Sequence, residues 1–223
     1  MTNRPAPWPT VLWDFDGTLA DTVPSIMSAT QLATERVLGL RLEDAAIRRL
    51  VGEPAHIRIA ALVPERADDV YAVYLDLISA VSPETTPLFP GMASIVSRLS
   101  EAGVVNALVT SRPRSHVARV LDHWDMGGSF AAFVALEDTV RHKPTGDPLL
   151  YALAELGAPA ERSVYVGDAV VDLEASRDAR VDSVAVTWGA GREADLAAEH
   201  PTVLVTTPGE LAVALGIENE VAA

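Results

Sequence analysis

The sequence predicts an α/β protein: a mostly parallel sheet covered by helices, three layers deep, with a small helical cap attached. Three observations predict it. Short apolar runs alternate with helical stripes from Gly91 onward, and right-handed crossovers assemble such a pattern into a parallel sheet buried on both faces. A lone strand candidate lies far upstream, at residues 11–15. Only helical periodicity fills the interval between them. The 223 residues accommodate one core with an insert, and 49% hydrophobic against 22% charged residues supports a sizeable buried interior rather than a disordered chain.

The proline-rich Pro5-Ala6-Pro7-Trp8-Pro9 is an approach segment to the first strand, Val11-Leu12-Trp13-Asp14-Phe15, which Gly17-Thr18 stops. Ile26, Ala29, Ala33 and Val37 then form a helical stripe. Ile47, Val51, Val70, Val73, Leu77 and Val81 mark further helices, punctuated by Gly39, Gly52-Glu53-Pro54 and Pro64, and Pro83, Pro87 and Pro90 mark the exit. Beyond Gly91 a helix around Ile95, Val96 and Leu99 precedes a strand at 104–109, and a second helix begins after Arg112-Pro113. A strand at 130–135 follows, then a helical face of Leu149, Leu150, Leu153 and Leu156 stopped by Gly157. Strands at 163–167, 184–186 and 203–205 alternate with helices at 173–179 and 211–215. Residues 1–21 and 88–223 are therefore read as one core and 22–87 as the cap. In open α/β sheets the ligand site lies at the carboxyl ends of the strands, where this cap emerges and can close over substrate.

Charge and composition exclude several classes of partner. Asp and Glu number 31 against 17 Lys and Arg, a formal charge of −14 that repels nucleic acid and anionic membrane surfaces. Without cysteine there is no disulfide framework, thiolate nucleophile or cysteine-ligated metal. The start, Met1-Thr2-Asn3-Arg4-Pro5, leads into neither a secretory core nor an apolar span of about 20 residues, which points to a cytoplasmic location. His116, His123, His142 and His200 show no metal-ligand spacing. Neither a leucine heptad nor an interfacial patch decides between monomer and homodimer. Lys143 is the only lysine.

Four separated segments carry the chemistry. Asp14-Phe15-Asp16-Gly17-Thr18 sets two carboxylates at the end of a buried strand, which calls for a metal, a protonated member or dense hydrogen bonding; an acidic turn or N-cap has the same local pattern. Gly17 permits the turn that redirects Asp16, and Thr18 can bond across it. Thr110 and Ser111 end another strand in hydroxyls able to donate to a phosphoryl oxygen or to cap the next helix, and Arg112 is compatible with anion binding at that helix entry. Lys143 presents a point charge between a strand and a helix, where a surface lysine would look the same. Asp168 and Asp172 follow the 163–167 strand at a spacing that turns both to one site; as hard oxygen donors they suit Mg²⁺, with helix capping the ordinary alternative. Together these supply an anionic nucleophile, a proton-transfer group, a phosphate clamp, a cation and metal ligands, the complement for metal-assisted phosphoryl transfer.

On these motifs the chain resembles the haloacid dehalogenase superfamily over residues 10–215, carried by the run from Asp14 to Thr22 together with Thr110-Ser111, Lys143-Pro144 and the segment from Gly167 to Asp172. It is similar to small phosphatases of the phosphoglycolate phosphatase type, with a Rossmann-like core and a helical cap inserted after the first motif. The resemblance implies Asp14 as the phosphoryl-accepting nucleophile, Asp16 as acid/base and Thr110 as the phosphate-binding hydroxyl, beside Gly17, Thr18, Ser111 and Arg112. It implies Lys143 as the charge-stabilising cation against phosphate. It further implies Mg²⁺ held by Asp14, the Asp16 backbone carbonyl, Asp168 and Asp172. Ala169 stands where relatives often carry a hydroxyl residue, and Arg112 where they often carry asparagine or lysine. The cap is expected to govern substrate choice, with Arg48 or Arg49 meeting a substrate carboxylate or second phosphate, or else lying on a solvated helix face.

The implied function is Mg²⁺-dependent hydrolysis of a small phosphorylated metabolite, phosphoglycolate-like or a sugar phosphate, through an aspartyl-phosphate on Asp14. A β-phosphoglucomutase-like phosphomutase and a pyrophosphatase are the enzymatic alternatives, and a non-enzymatic interaction protein would leave the acids unexplained. Asp16 argues against dehalogenation, and the lone core lysine against the cap Schiff base of phosphonoacetaldehyde hydrolases.

Overall fold

The computed structural model describes residues 6–217, so the leading Met1-Thr2-Asn3-Arg4-Pro5 lies outside the described residues. Six strands form one sheet: β1 (Thr10–Trp13), β2 (Val105–Val109), β3 (Ala132–Val134), β4 (Ser163–Gly167), β5 (Asp182–Val186) and β6 (Val203–Val205). Their order is β3-β2-β1-β4-β5-β6 and every neighbouring pair is parallel. Burial on both faces explains the apolar runs: all four residues of β1 are buried. Alternation along β1 divides the core. Val11 and Trp13 pack with Val164, Val166 and Leu108 beneath α5 (Met92–Glu101), α6 (Arg114–His123) and α10 (Pro208–Ala214). Leu12 points the other way, with Ala107 and Tyr165, against α7 (Asp147–Leu156) and α8 (Val170–Ala179). A last helix, α9 (Glu193–Ala198), seats Leu196 against Leu173 and Ala185.

Between β1 and β2 the chain leaves the sheet as four helices, α1 (Val23–Leu38), α2 (Asp44–Arg48), α3 (Ala55–Leu62) and α4 (Ala67–Ser79). They bury Ile26, Ala33, Ile59, Val70 and Tyr74 in a cluster of their own, to which the core contributes Ala190. Two strands of linker run side by side beneath this cap: the Asp21 N–H donates to the Pro87 carbonyl and the Phe89 N–H to the Leu19 carbonyl, each at 2.9 Å. That paired stem is where we propose to set the cap limits, at residues 22 and 87.

Element ends differ from the sequence expectation where side chains intervene. Helix α8 starts at Val170 rather than Leu173, because the Asp172 carboxylate reaches back to accept the Ala169 N–H at 3.0 Å and opens the helix one turn earlier. The 130–135 strand shortens to three residues at the sheet edge, where β2 is its single partner. Helix α4 ends at Ser79, before Val81. Among the described residues no helix is long and apolar enough to cross a membrane.

Candidate active site

The strand order reverses direction at β1, and ligands of open α/β sheets sit at such a point, off the carboxyl ends. Register makes the edge common to three motifs: Trp13 pairs with both Leu108 and Val166. Asp14, Thr110 and Asp168 therefore leave β1, β2 and β4 on the same side, and the Asp14 N–H is fixed to the Val166 carbonyl at 2.9 Å.

Lys143 fills the space beneath these ends. Its Nζ donates to Asp14 Oδ1 at 2.8 Å, Asp172 Oδ1 at 2.6 Å and Tyr165 Oη at 3.1 Å, so all three ammonium hydrogens are used. Tyr165 passes its own hydrogen to the Val109 carbonyl, 3.1 Å away. Burial alone would lower the lysine pKa, but the Asp14 and Asp172 carboxylates outweigh it and hold the ammonium above its ordinary range. Asp168 is gripped from two sides, Oδ1 accepting from Thr18 Oγ1 at 3.0 Å and Oδ2 from the Ala190 N–H at 2.6 Å. Gly17, at φ 80°, packs directly on that carboxylate: a Cβ there would lie 2.3 Å from Asp168 Oδ2, and one on Gly189 would lie 2.1 Å away. Asp16 accepts from Thr22 Oγ1 at 2.6 Å and pairs with Arg112 Nε at 2.8 Å. Thr110 Oγ1 accepts the Arg112 N–H at 3.2 Å, which leaves its hydroxyl hydrogen available to an anion.

Three carboxylates, those of Asp14, Asp168 and Asp172, bring oxygens within 4.8 Å of one another. Burial, and then the neighbouring acids, push Asp14 well above the usual carboxylate range despite Lys143. Burial and Asp172 push Asp168 up to about 7, against the Ala190 N–H and Thr18. Asp14 Oδ2 is buried and has no hydrogen-bond partner. A hard divalent cation fits this donor set on both counts: it is all oxygen, and it carries like charge that one lysine does not neutralise.

The cap closes over this edge. Ser111 Oγ, from the core, donates to the Gly52 carbonyl of the cap at 2.8 Å, and Ser79 meets His116 at 3.2 Å. The cavity left between is about 30 Å³, with Asp14, Asp16, Ser111 and Arg112 from the core and Glu53, Arg58 and Tyr74 from the cap among its walls. Of the two readings for Arg48 and Arg49, the structure matches the solvated helix face. Both are exposed and line a different groove of about 360 Å³, with Arg192 and Asp195, because α2 turns its buried face, Ile47, inward and its arginines outward. The cap arginine that reaches the chamber is Arg58, which the sequence reading passed over. Its signal is a single charge inside the otherwise apolar run of α3. Tyr165 and Ala190 were also missed, and Thr22 was read only as the end of the opening motif; nothing in a buried strand or a turn sequence distinguishes the first two.

A buried carboxylate with one free oxygen, an acid beside it, a lysine beneath and a cation-fitting acid cluster define a hydrolase site. The family model for the haloacid dehalogenase-like hydrolases matches residues 11–186, and the chain belongs to that family. It is 33% identical over 178 residues to "Putative pyrophosphatase PpaX" of Caldanaerobacter subterraneus subsp. tengcongensis, covering 80% of this chain and 81% of that one. It is 31% identical over 207 residues to a phosphoglycolate phosphatase of Pseudomonas fluorescens, covering 87% and 75% respectively. The crystal structure of a hydrolase from Pseudomonas syringae superposes with a TM-score of 0.84 at 21% identity, over 96% of this chain and 99% of that one, a likeness of fold.

Proposed function

We propose that the protein is a Mg²⁺-dependent phosphatase that hydrolyses a small phosphomonoester through an aspartyl-phosphate on Asp14. The observation that carries this is the pair of Asp14 oxygens: Oδ1 is tied to Lys143 at 2.8 Å, while Oδ2 is unpartnered among the described residues on a side chain that lines the chamber. The tied oxygen fixes the carboxylate and the free one attacks phosphorus. Asp16, held by Thr22 and Arg112, donates a proton to the leaving oxygen and then takes one from the water that releases phosphate. Thr110 and Arg112 offer donors to the phosphoryl oxygens, Ser111 lines the chamber beside them, Lys143 supplies its positive charge from beneath Asp14 and Asp172, and Gly17 and Thr18 shape the loop that holds Asp168. Asp14, Asp168, Asp172 and the Asp16 carbonyl would hold Mg²⁺, which when bound supplies positive charge against the phosphoryl oxygens. The cap excludes bulk water during the first step.

Phosphate release from a panel of phosphomonoesters, with Mg²⁺ and with chelator, tests the reading. Metal-dependent release with acid-stable label on Asp14 is expected; label on another residue would overturn the mechanism. The pyrophosphatase reading is favoured by one observation, the name of the 33% identical relative, and pyrophosphate therefore belongs in the panel.

A further inference from the structure

Arg58 is 2% exposed, yet among the described residues no carboxylate lies within ion-pairing distance of it. Its Nε and Nη2 have no hydrogen-bond partner among the described residues. The side chain is nevertheless held in place: Nη1 donates to the Glu53 carbonyl at 3.5 Å, and the guanidinium lies over the Tyr74 ring at 5.1 Å. Guanidinium stays charged at any working pH, so this is a buried cation short of an anion, a costly state unless something supplies one. Nε and Nη2 form one edge of the group, and this chain uses that same edge elsewhere to clamp carboxylates. Arg141 grips Asp147 with both atoms at 2.7 Å, and Arg192 grips Asp195 at 2.7 and 2.8 Å. On Arg58 the edge has no partner among the described residues, and Arg58 lines the chamber that holds Asp14 and Asp16. Arg112, with Nη2 also unpartnered, borders the same chamber from the core.

We propose that Arg58 is the cap's specificity residue, taking in its Nε/Nη2 edge a second anionic group, a carboxylate or a further phosphate, that the substrate carries close to its scissile phosphate. This rests on the phosphatase reading and narrows it from phosphomonoesters in general to compact doubly anionic ones. Neutral sugar phosphates leave the Arg58 edge unpaired in the closed cap and are disfavoured.

The test compares wild type, Arg58→Met, which keeps length and loses charge, and Arg58→Lys, which keeps charge and loses the fork. With Mg²⁺ present, kcat/KM is measured for 2-phosphoglycolate, pyrophosphate and glucose 6-phosphate. The ratio of a doubly anionic substrate to glucose 6-phosphate should fall by about 30-fold or more in Arg58→Met, as for loss of a buried charge partner, and by an intermediate factor in Arg58→Lys. The substrate whose ratio falls further identifies the anion as carboxylate or phosphate. An unchanged ratio in either folded variant overturns the proposal. A second arm does not depend on turnover: calorimetric binding of phosphonoacetate against methylphosphonate, which differ by the carboxylate. Wild type should prefer phosphonoacetate and Arg58→Met should lose the preference; equal binding by wild type overturns the subsite. Wild type that shows this preference but releases no phosphate from any substrate would retire the phosphatase reading and leave the anion subsite standing.

Discussion

The two walls of the chamber are finished to different degrees. On the core wall every charged group is anchored through at least one atom: Lys143 spends all three hydrogens, Asp168 has Thr18 and Ala190, Asp16 has Thr22 and Arg112, and Asp14 Oδ2 and Arg112 Nη2 are free on side chains whose other atoms are tied to Lys143 and Asp16. On the cap wall Arg58 has two nitrogens without a partner, and burial raises the Glu53 carboxyl above its usual range while Arg58 only partly opposes it. A wall whose groups are already bonded is rigid before substrate arrives, which is what positioning a nucleophile requires. A wall with unmet bonding capacity is completed by the ligand. Chemistry is thus built into the core, and recognition is left open in the cap.

The comparison breaks most visibly at Asp14. Asp14→Asn keeps the shape and removes the nucleophile, so turnover should fall by about 10³-fold or more, read as steady-state phosphate release. Because Asn removes one of three clustered negative charges and keeps an oxygen for Lys143, the metal-free variant should melt no lower than wild type. A melting temperature that collapses along with activity would show that Asp14 serves the fold as much as the reaction.

Lys143 tests the same wall through stability. Lys143→Met leaves Asp14 and Asp172 buried without their cation, and unfolding in urea should show a loss of about 3–5 kcal/mol, the range for breaking a buried ion pair. Arg58→Met removes a cation that has no ion-paired partner among the described residues, and its loss should be clearly smaller. Equal losses would erase the difference between the walls.

Adding Mg²⁺ should raise the melting temperature of wild type, by a stabilisation of about 2.7 kcal/mol when the ion is at about 100 times its dissociation constant. Asp168→Asn should flatten that response in a thermal titration, since Asp168 is one of three clustered acids. Arg58→Met should retain it, because the cap wall takes no part in holding the ion.

Much of the core wall was legible before any coordinates, and little of the cap wall. Asp14 and Asp168 follow apolar runs that read as buried strands, and although a turn or a helix cap explains each acid alone, four such segments together pointed to one site. Lys143 stood out only as the single lysine, a weak signal, since a surface lysine between a strand and a helix reads the same. The strand order was not legible, because β1 lies between β2 and β4 only once the crossovers are placed. Tyr165 read as strand filling, since the sequence does not reveal how far a side chain in a strand reaches. The choice among cap arginines depends on how α2 and α3 roll against the core. Arg48 and Arg49 flank a short helix whose buried side is Ile47, whereas Arg58 sits beside the buried Ile59 on the inner face of α3.

A smaller effect sharpens the comparison at the seam. His56 of the cap and His142 of the core meet edge to face at 6.0 Å, and the Tyr71 ring lies 6.1 Å from His56. Burial, and then His56, lower the His142 pKa below the ordinary histidine value. The folded chain therefore takes up that proton less readily than the unfolded one. Stability from this contact is complete above the ordinary histidine range and is lost as pH falls through it toward the lowered value. Urea midpoints between pH 7.5 and 5.5 should decline less in His142→Gln than in wild type; identical slopes would remove the seam from the account.

The smallest effect is expected from the outer groove. Arg49→Ala changes an exposed side chain that lines the space beside Arg192 and Asp195, so its effect should stay within about 0.5 kcal/mol, or about twofold in kcat/KM for any substrate. Arg48 differs in one respect. Its Nη1 lies 3.4 Å from the Gly189 carbonyl, and Gly189 packs against the Asp168 carboxylate, so Arg48→Ala loosens a tie between the cap and the loop that holds a core acid. That change should raise KM for all substrates together and leave their ratio alone, since the tie reads nothing of the substrate. Specificity constants for both variants on 2-phosphoglycolate and glucose 6-phosphate decide it. A shift in their ratio larger than that of Arg58→Met would move recognition from the inner chamber to the outer groove and reverse the assignment of the two arginine sets.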